Sequence, residues 1–139
     1  PLYPVDVFVE PNPAEADLPA IMTSTLLPQL ASNDVLVCPL GIGGHADHLL
    51  VRKAVDGLNR PLLYYADIPY LLNHPEALGP LTNGGQAEVW KVSSAGLSAW
   101  ADGIAAYASQ MSTLFESPEK MRELIEAYGW AGVHLWRFE

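Results

Sequence analysis

Residues 35–48 have the sequence Val35-Leu36-Val37-Cys38-Pro39-Leu40-Gly41-Ile42-Gly43-Gly44-His45-Ala46-Asp47-His48. The first six residues are an uninterrupted apolar run with β-branched side chains, which is typical of a strand buried on both faces of a parallel sheet. The glycines that follow allow a tight turn from a strand into a helix. The sequence therefore predicts a strand, a glycine-rich turn and the start of a helix in direct succession.

A helix and a second strand are predicted after this turn. Leu49, Leu50, Ala54 and Leu58 keep the spacing of an amphipathic helix, and residues 62–65 form another apolar run. A strand, a helix and a strand in this order form a βαβ unit with parallel strands. The pattern predicts an α/β fold in which residues 1–139 are a single domain or part of one.

The segments on either side of this unit carry weaker patterns. Polar and apolar residues alternate over 5–9 and predict a short strand, and Asp17 precedes a helical pattern that extends to about residue 30. Residues 73–86 contain prolines and glycines without a period. They predict a long loop that could act as a lid or rim.

The C-terminal third is predicted to be mainly helical. Apolar residues over 97–115 keep a helical spacing through five turns, which predicts one long helix. Ser117 and Pro118 are start signals for a last helix, which Gly129 closes. Residues 134–138 predict a terminal strand.

The composition is acidic, with 7 Lys and Arg against 16 Asp and Glu and a net charge of −9. Residues 1–51 contain six carboxylates and neither Lys nor Arg, so they would repel a phosphate backbone, and no nucleic-acid partner is expected. The uncharged run 18–33 is broken by two prolines, so we expect no membrane span, no signal peptide and a cytoplasmic location. Because the sequence begins at Pro1 and its first Met is Met22, we expect a processed product or part of a longer polypeptide.

The strongest candidate site is at the end of the first predicted strand of the βαβ unit, where open α/β sheets bind their ligands. His45 and His48 lie three residues apart and can project to the same side of a first helical turn, while Gly43 and Gly44 leave space for a ligand. The alternative is a polar helix start, with Asp47 near the positive end of the helix dipole and two surface histidines beside it. Two histidines and one aspartate do not fill the four positions of a zinc site, so spacing alone leaves both interpretations open.

Several other residues carry weaker signals. The turn lacks G-x-G-x-x-G and a Walker lysine, which disfavours a phosphate-binding loop. Asp67 follows the second strand and could line the same crevice or form a turn, and Tyr70 shares this ambiguity. Cys38 is predicted to be inert packing inside a strand, and Trp100 lies on an apolar helix face and is predicted to be core.

Residues 38–54 resemble the Pro-x-Gly-x-Gly-His-x-Asp-His signature of the PIG-L/LmbE-like zinc-dependent N-deacetylases. The resemblance continues in residues 64–70, in residues 107–110 and at Leu135-Trp136. It implies a Rossmann-like parallel sheet with flanking helices, of which this chain is the C-terminal half. It also implies hydrolysis of an N-acetyl or other N-acyl amide, on an amino sugar or glycoconjugate, with Zn²⁺ or another divalent metal.

The resemblance assigns roles to matching positions. His48 corresponds to a metal ligand, His45 to the catalytic histidine that faces the reacting carbonyl and leaving amine, and Asp47 to a catalytic aspartate that hydrogen-bonds within the site. We further expect Asp47 to keep His45 protonated, because a nearby carboxylate favours an imidazolium. The remaining candidates are assigned to substrate binding: Gly43, Gly44, Asp67 and Tyr70.

One signature of the family is absent. The Ala-His-Pro-Asp-Asp motif, which supplies the other ligands and the general base, does not occur in the sequence. We therefore expect a preceding segment or a second chain to bring it, and an oligomer is one way to do so. The rival hypotheses are a non-catalytic acidic α/β binding or interaction module without a complete metal site, and a glycan-binding module with exposed tryptophans.

Overall fold

The computed structural model describes residues 6–138 and contains a mixed α/β fold. Its four-stranded sheet has the order β1-β2-β4-β3 and comprises β1 (Leu36–Pro39), β2 (Leu62–Tyr65), β3 (Gln86–Trp90) and β4 (Val133–Arg137). Strands β1 and β2 are parallel, with Leu36 opposite Leu62. Strand β4 is antiparallel to β2, with Tyr64 opposite Trp136. The predicted parallel sheet is thus limited here to the β1–β2 pair, because the apolar pattern of a strand does not encode its direction.

Seven α-helices accompany the sheet within the described residues. They are α1 (Leu18–Leu26), α2 (Ala46–Asp56), α3 (Tyr70–Asn73), α4 (Leu78–Thr82), α5 (Ser94–Ala105), α6 (Ala108–Leu114) and α7 (Pro118–Trp130). Helix α7 begins as predicted, because the Ser117 side chain accepts a hydrogen bond from the Lys120 amide and Pro118 occupies the first helical position. None of these helices is long and apolar enough to span a membrane.

The βαβ unit predicted from the central sequence is confirmed by β1, α2 and β2. One detail is different. Strand β1 lies at the edge of the sheet. Its Cys38 side chain is 2% exposed, whereas the Val37 side chain, which points to the opposite face, is 48% exposed. The prediction that this strand is buried on both faces is therefore wrong. A continuous apolar run indicates a strand in a sheet, but it does not show whether both faces of that strand are covered by other elements.

Three predicted elements differ from the structure. Residues 6–10 form no strand, and the Val7 carbonyl instead accepts a hydrogen bond from Ala46 at 2.8 Å; Val5 lies outside the described residues. Residues 73–86 are not a structureless loop, because most of their length is in short helical turns. The predicted helix over 97–115 is interrupted at Tyr107, whose ψ of 57° separates α5 from α6. Serine and threonine residues in the second half have low helix propensity, which weakens continuity there.

The chain divides into two compact units. The first comprises residues up to Glu88 together with those from Leu135 onward, and it contains the βαβ unit. Its core includes the fully buried side chains of Leu40 and Ile42. The second comprises Val89–His134, in which helices α5 and α7 pack together.

Candidate functional site

The glycine turn between β1 and α2 forms the base of the site. Gly41, Gly43 and Gly44 have φ values of 82°, 83° and 72°, a region that residues with a Cβ adopt only with strain. A Cβ on Gly43 would lie 3.0 Å from the Cβ of Tyr70, whereas a Cβ on Gly44 would meet nothing within 4 Å. The turn therefore needs glycine for its backbone conformation, and at Gly43 also for the approach of Tyr70.

Asp67, which follows β2, joins this turn to α2. Its side chain is buried, and Oδ2 accepts hydrogen bonds from the backbone amides of Gly41 and Ile42, both at 2.9 Å. Its Oδ1 lies 2.5 Å from His48 Nδ1. A carboxylate has no proton to donate, so Asp67 accepts a hydrogen bond from His48 just as it does from the two amides. His48 therefore carries a proton on Nδ1. When this ring is neutral, its Nε2 carries the lone pair that can act as a ligand or proton acceptor.

His45 has the opposite tautomer. It is the N-cap of α2, and its Nδ1 accepts a hydrogen bond from the Asp47 amide at 3.2 Å. Burial lowers the pKa of His45 below 6.5, and the neighbouring His48 lowers it further, while Asp47 acts in the opposite direction. Asp47 favours the protonated form of His45, as expected, but burial and His48 outweigh it and the net direction is a lowered pKa. At neutral pH His45 is a neutral imidazole that presents an Nε2–H donor.

Aromatic rings surround the two histidines. The ring centroids of His45 and His48 lie 5.0 Å apart, and the Tyr70 ring lies 5.7 Å from His48 and 6.3 Å from His45. The Phe8 ring contacts His45 edge-on at 5.5 Å and Tyr70 at 5.3 Å. Phe8 was not found by sequence reasoning, because its alternating neighbourhood indicated a strand and gave no sign of contact with residue 45. Asp47 is exposed at the start of the same helix.

A cavity of about 450 Å³ adjoins the turn. It is lined by glycines of the turn and by residues of the segment from α3 to α4: Gly41, Gly43, Gly44, His74, Glu76, Ala77, Pro80 and Leu81. The volume is within the range of small-molecule sites. The sequence indicated a possible rim in this segment but no role for Glu76. The signal available was a histidine and a carboxylate beside prolines in a segment without a period.

The described residues do not form a complete metal site. Between residues 6 and 138 there is no group of three or more histidine, cysteine, aspartate or glutamate side chains placed to hold a metal ion. His48 Nε2 is one suitable ligand atom, but both oxygens of Asp67 are engaged by protein hydrogen bonds. A zinc site built on His48 therefore requires ligands from outside the described residues.

Other residues considered from the sequence lie elsewhere. Cys38 is buried, and desolvation raises the pKa of its thiol to about 12, which favours the inert thiol. Trp136 is buried in the sheet, and the Trp100 ring contacts Tyr128 at 6.0 Å. Trp130 is 87% exposed.

Comparison with known proteins gives one partial similarity. The chain is 46% identical over 44 residues to 2'-N-acetylparomamine deacetylase of Streptomyces fradiae. The match covers 29% of this chain and 16% of that enzyme. No protein-family model matches the chain, and no solved structure matches it. The similarity indicates relatedness to a deacetylase over a short segment.

Proposed function

We propose that this chain contributes the His45–His48 part of an active site that hydrolyses an N-acyl amide, an N-acetyl group on an amino sugar being the preferred substrate. The observation that carries this proposal is the buried Asp67, which fixes the tautomer of His48 beside a second histidine of the opposite tautomer. The partial similarity to a deacetylase supports the same reaction class. Surface histidines at an ordinary helix start would not need a buried carboxylate partner.

Each residue of the site has a different role in the proposed reaction. His45 Nε2–H donates a hydrogen bond to the carbonyl oxygen of the amide, which gains negative charge as the carbonyl is attacked. His48 presents its Nε2 lone pair, and Asp67 holds that ring in place from the buried side. Gly44 leaves the substrate room to approach, while Gly43 allows Tyr70 to pack close to the turn and against the histidines at the edge of the site. Asp47 contributes charge at the helix start.

The finer parts of the proposal come from the sequence resemblance. They are membership of the PIG-L/LmbE-like deacetylases, a Rossmann-like domain of which this chain is the C-terminal portion, and a cytoplasmic location. Zinc is also part of the proposal, with His48 as its ligand in this chain and the other ligands supplied by a further segment or a second chain.

Acetate release by the full-length protein from N-acetylated amino sugars tests the proposed reaction. We expect release by the wild type and its loss in Asp67→Asn, because the asparagine amide would donate to His48 Nδ1 and move the ring proton to Nε2. The matched control is Asp17→Asn, which makes the same chemical change at an exposed carboxylate without a side-chain cap hydrogen bond. Equal acetate release by Asp67→Asn and the control would contradict the proposed roles. No release by the wild type would favour the non-catalytic binding module.

A further inference from the structure

One side of α2 carries three polar side chains that bind to the strands of the βαβ unit and to their ends. His48, Arg52 and Asp56 are spaced by four residues, so they follow one another along the same side of the helix. His48 contacts Asp67 after β2, and the Asp56 carboxylate accepts a hydrogen bond from the Tyr64 hydroxyl at 2.5 Å. Arg52 lies between these two, about one turn beyond a histidine of the candidate site.

The Arg52 side chain reaches the backbone where the glycine turn begins. Its Nη1 donates a hydrogen bond to the Leu40 carbonyl at 2.5 Å. This carbonyl belongs to the same peptide unit as the Gly41 amide, which donates to Asp67 Oδ2 at 2.9 Å. A guanidinium from α2 and a carboxylate that follows β2 therefore hold the two polar ends of one peptide unit.

This peptide unit lies in the protein interior. Leu40 is completely buried, so water does not reach its carbonyl in the folded protein. Arg52 is half-buried, and its guanidinium carbon lies 5.2 Å from the centroid of the Tyr64 ring, a distance at which an aromatic face attracts a cation. Because a buried carbonyl that loses its donor is costly, removal of Arg52 should loosen the start of the turn.

We propose that Arg52 is a positioning residue of the candidate site, which fixes the Leu40–Gly41 peptide so that Asp67 and His48 keep their hydrogen bond. This inference rests on the proposed function. Arg52 acts through the turn and through Asp67, so its role requires no contact with the substrate. The turn that it holds leads directly into His45, so both histidines depend on the same anchored peptide.

Native-state hydrogen exchange on the full-length protein without substrate tests whether Arg52 holds the turn. The internal reference is the Leu40 amide, which donates to the Tyr65 carbonyl at 2.9 Å at the end of β1. In Arg52→Met we expect the exchange rate of the Gly41 amide to rise on the order of tenfold or more relative to this reference, the effect of losing a hydrogen bond to a charged group. A general loss of stability would instead raise both rates by the same factor.

Acetate release provides the second readout. Arg52→Met should lower kcat by on the order of ten- to a hundredfold with little change in KM, because the histidines are displaced while the room for the substrate remains. Arg52→Lys should recover part of this loss, since lysine keeps a charged donor. Arg52→Gln takes the place of Arg52→Met if the latter does not fold, since it removes the charge and shortens the side chain but keeps a polar group.

The matched control is Lys53→Met, which removes one positive charge from the neighbouring exposed position of α2 and should match the wild type in both measurements. An unchanged ratio of Gly41 to Leu40 exchange in Arg52→Met would overturn the inference. So would an unchanged kcat in that variant, and the proposed function would stand as long as the wild type releases acetate. No release by the wild type would overturn the proposed function and with it the role of Arg52 in the reaction.

Discussion

Asp67 and His48 form a hydrogen bond of 2.5 Å that links the end of β2 to the first turn of α2. The other carboxylate oxygen of Asp67 accepts hydrogen bonds from two backbone amides of the glycine turn. One buried side chain therefore fixes both the turn and the histidine. This arrangement sets the tautomer of His48 without contact between Asp67 and solvent. The candidate site depends on that relationship more than on any other.

The first prediction concerns this tautomer. In the wild type, ¹⁵N NMR should show His48 protonated at Nδ1, and in Asp67→Asn it should show protonation at Nε2. Because hydrogen bonds to a charged group are lost, Asp67→Asn should also lower the free energy of unfolding by about 1–3 kcal/mol. The same His48 tautomer in both proteins would show that Asp67 does not control the ring.

The second prediction concerns His45 as a neutral donor. Because burial lowers its pKa, the NMR titration midpoint of His45 should be below 6.5 in the folded protein and return to its ordinary value in denaturant. His45→Ala should reduce kcat on the order of 10²-fold, as is usual when an oxyanion donor is removed. His45→Gln should retain more activity than His45→Ala, because glutamine keeps an N–H donor. Equal activity of the wild type and His45→Ala would remove this residue from the reaction.

The third prediction compares glycines in the turn. Gly44→Ala should lower the free energy of unfolding by about 1–2 kcal/mol, the cost of a Cβ in the left-handed conformation. Gly43→Ala should cost more, because its Cβ would also press against Tyr70. Gly103→Ala is the control: it lies in α5 with open space around it, and alanine should be neutral or stabilising there. Urea denaturation of the three variants measures how much free energy of unfolding each one loses. Equal losses in Gly43→Ala and Gly44→Ala would exclude the Tyr70 contact.

The fourth prediction concerns Cys38. Because its pKa is raised to about 12, the folded protein should react slowly with thiol reagents at neutral and mildly alkaline pH, and the rate should rise only as the pH approaches that value. A control places a cysteine at the neighbouring exposed position of β1, as Cys38→Ala combined with Val37→Cys, and it should react quickly. Rapid labelling of Cys38 in the folded wild type would contradict its burial.

The sequence was informative where local chemistry decides the structure. The βαβ unit followed from apolar runs and glycines, and α7 followed from the capping serine at 117. The place of His45 and His48 followed from their spacing. The strand β3 and the direction of β4 could not be predicted, because strand pairing depends on contacts distant in sequence.

The parts of the site that sequence reasoning missed share one cause. Phe8 meets His45, and Glu76 lines the cavity near Gly43, only because the chain folds back over long sequence separations. The tautomer of His45 was also unexpected. It depends on burial and on the amide of Asp47, and neither is visible in residue spacing.

The most direct test of the account measures acetate release and bound zinc on the same preparations of full-length wild type and His48→Ala. We predict that the wild type releases acetate from an N-acetylated amino sugar and that His48→Ala loses both zinc and turnover, because the proposed function makes His48 Nε2 the zinc ligand of this chain and Asp67 holds that ring. The control His74→Ala changes an exposed histidine of the cavity wall and should keep its zinc. Wild-type zinc content and acetate release in His48→Ala would contradict the central claim.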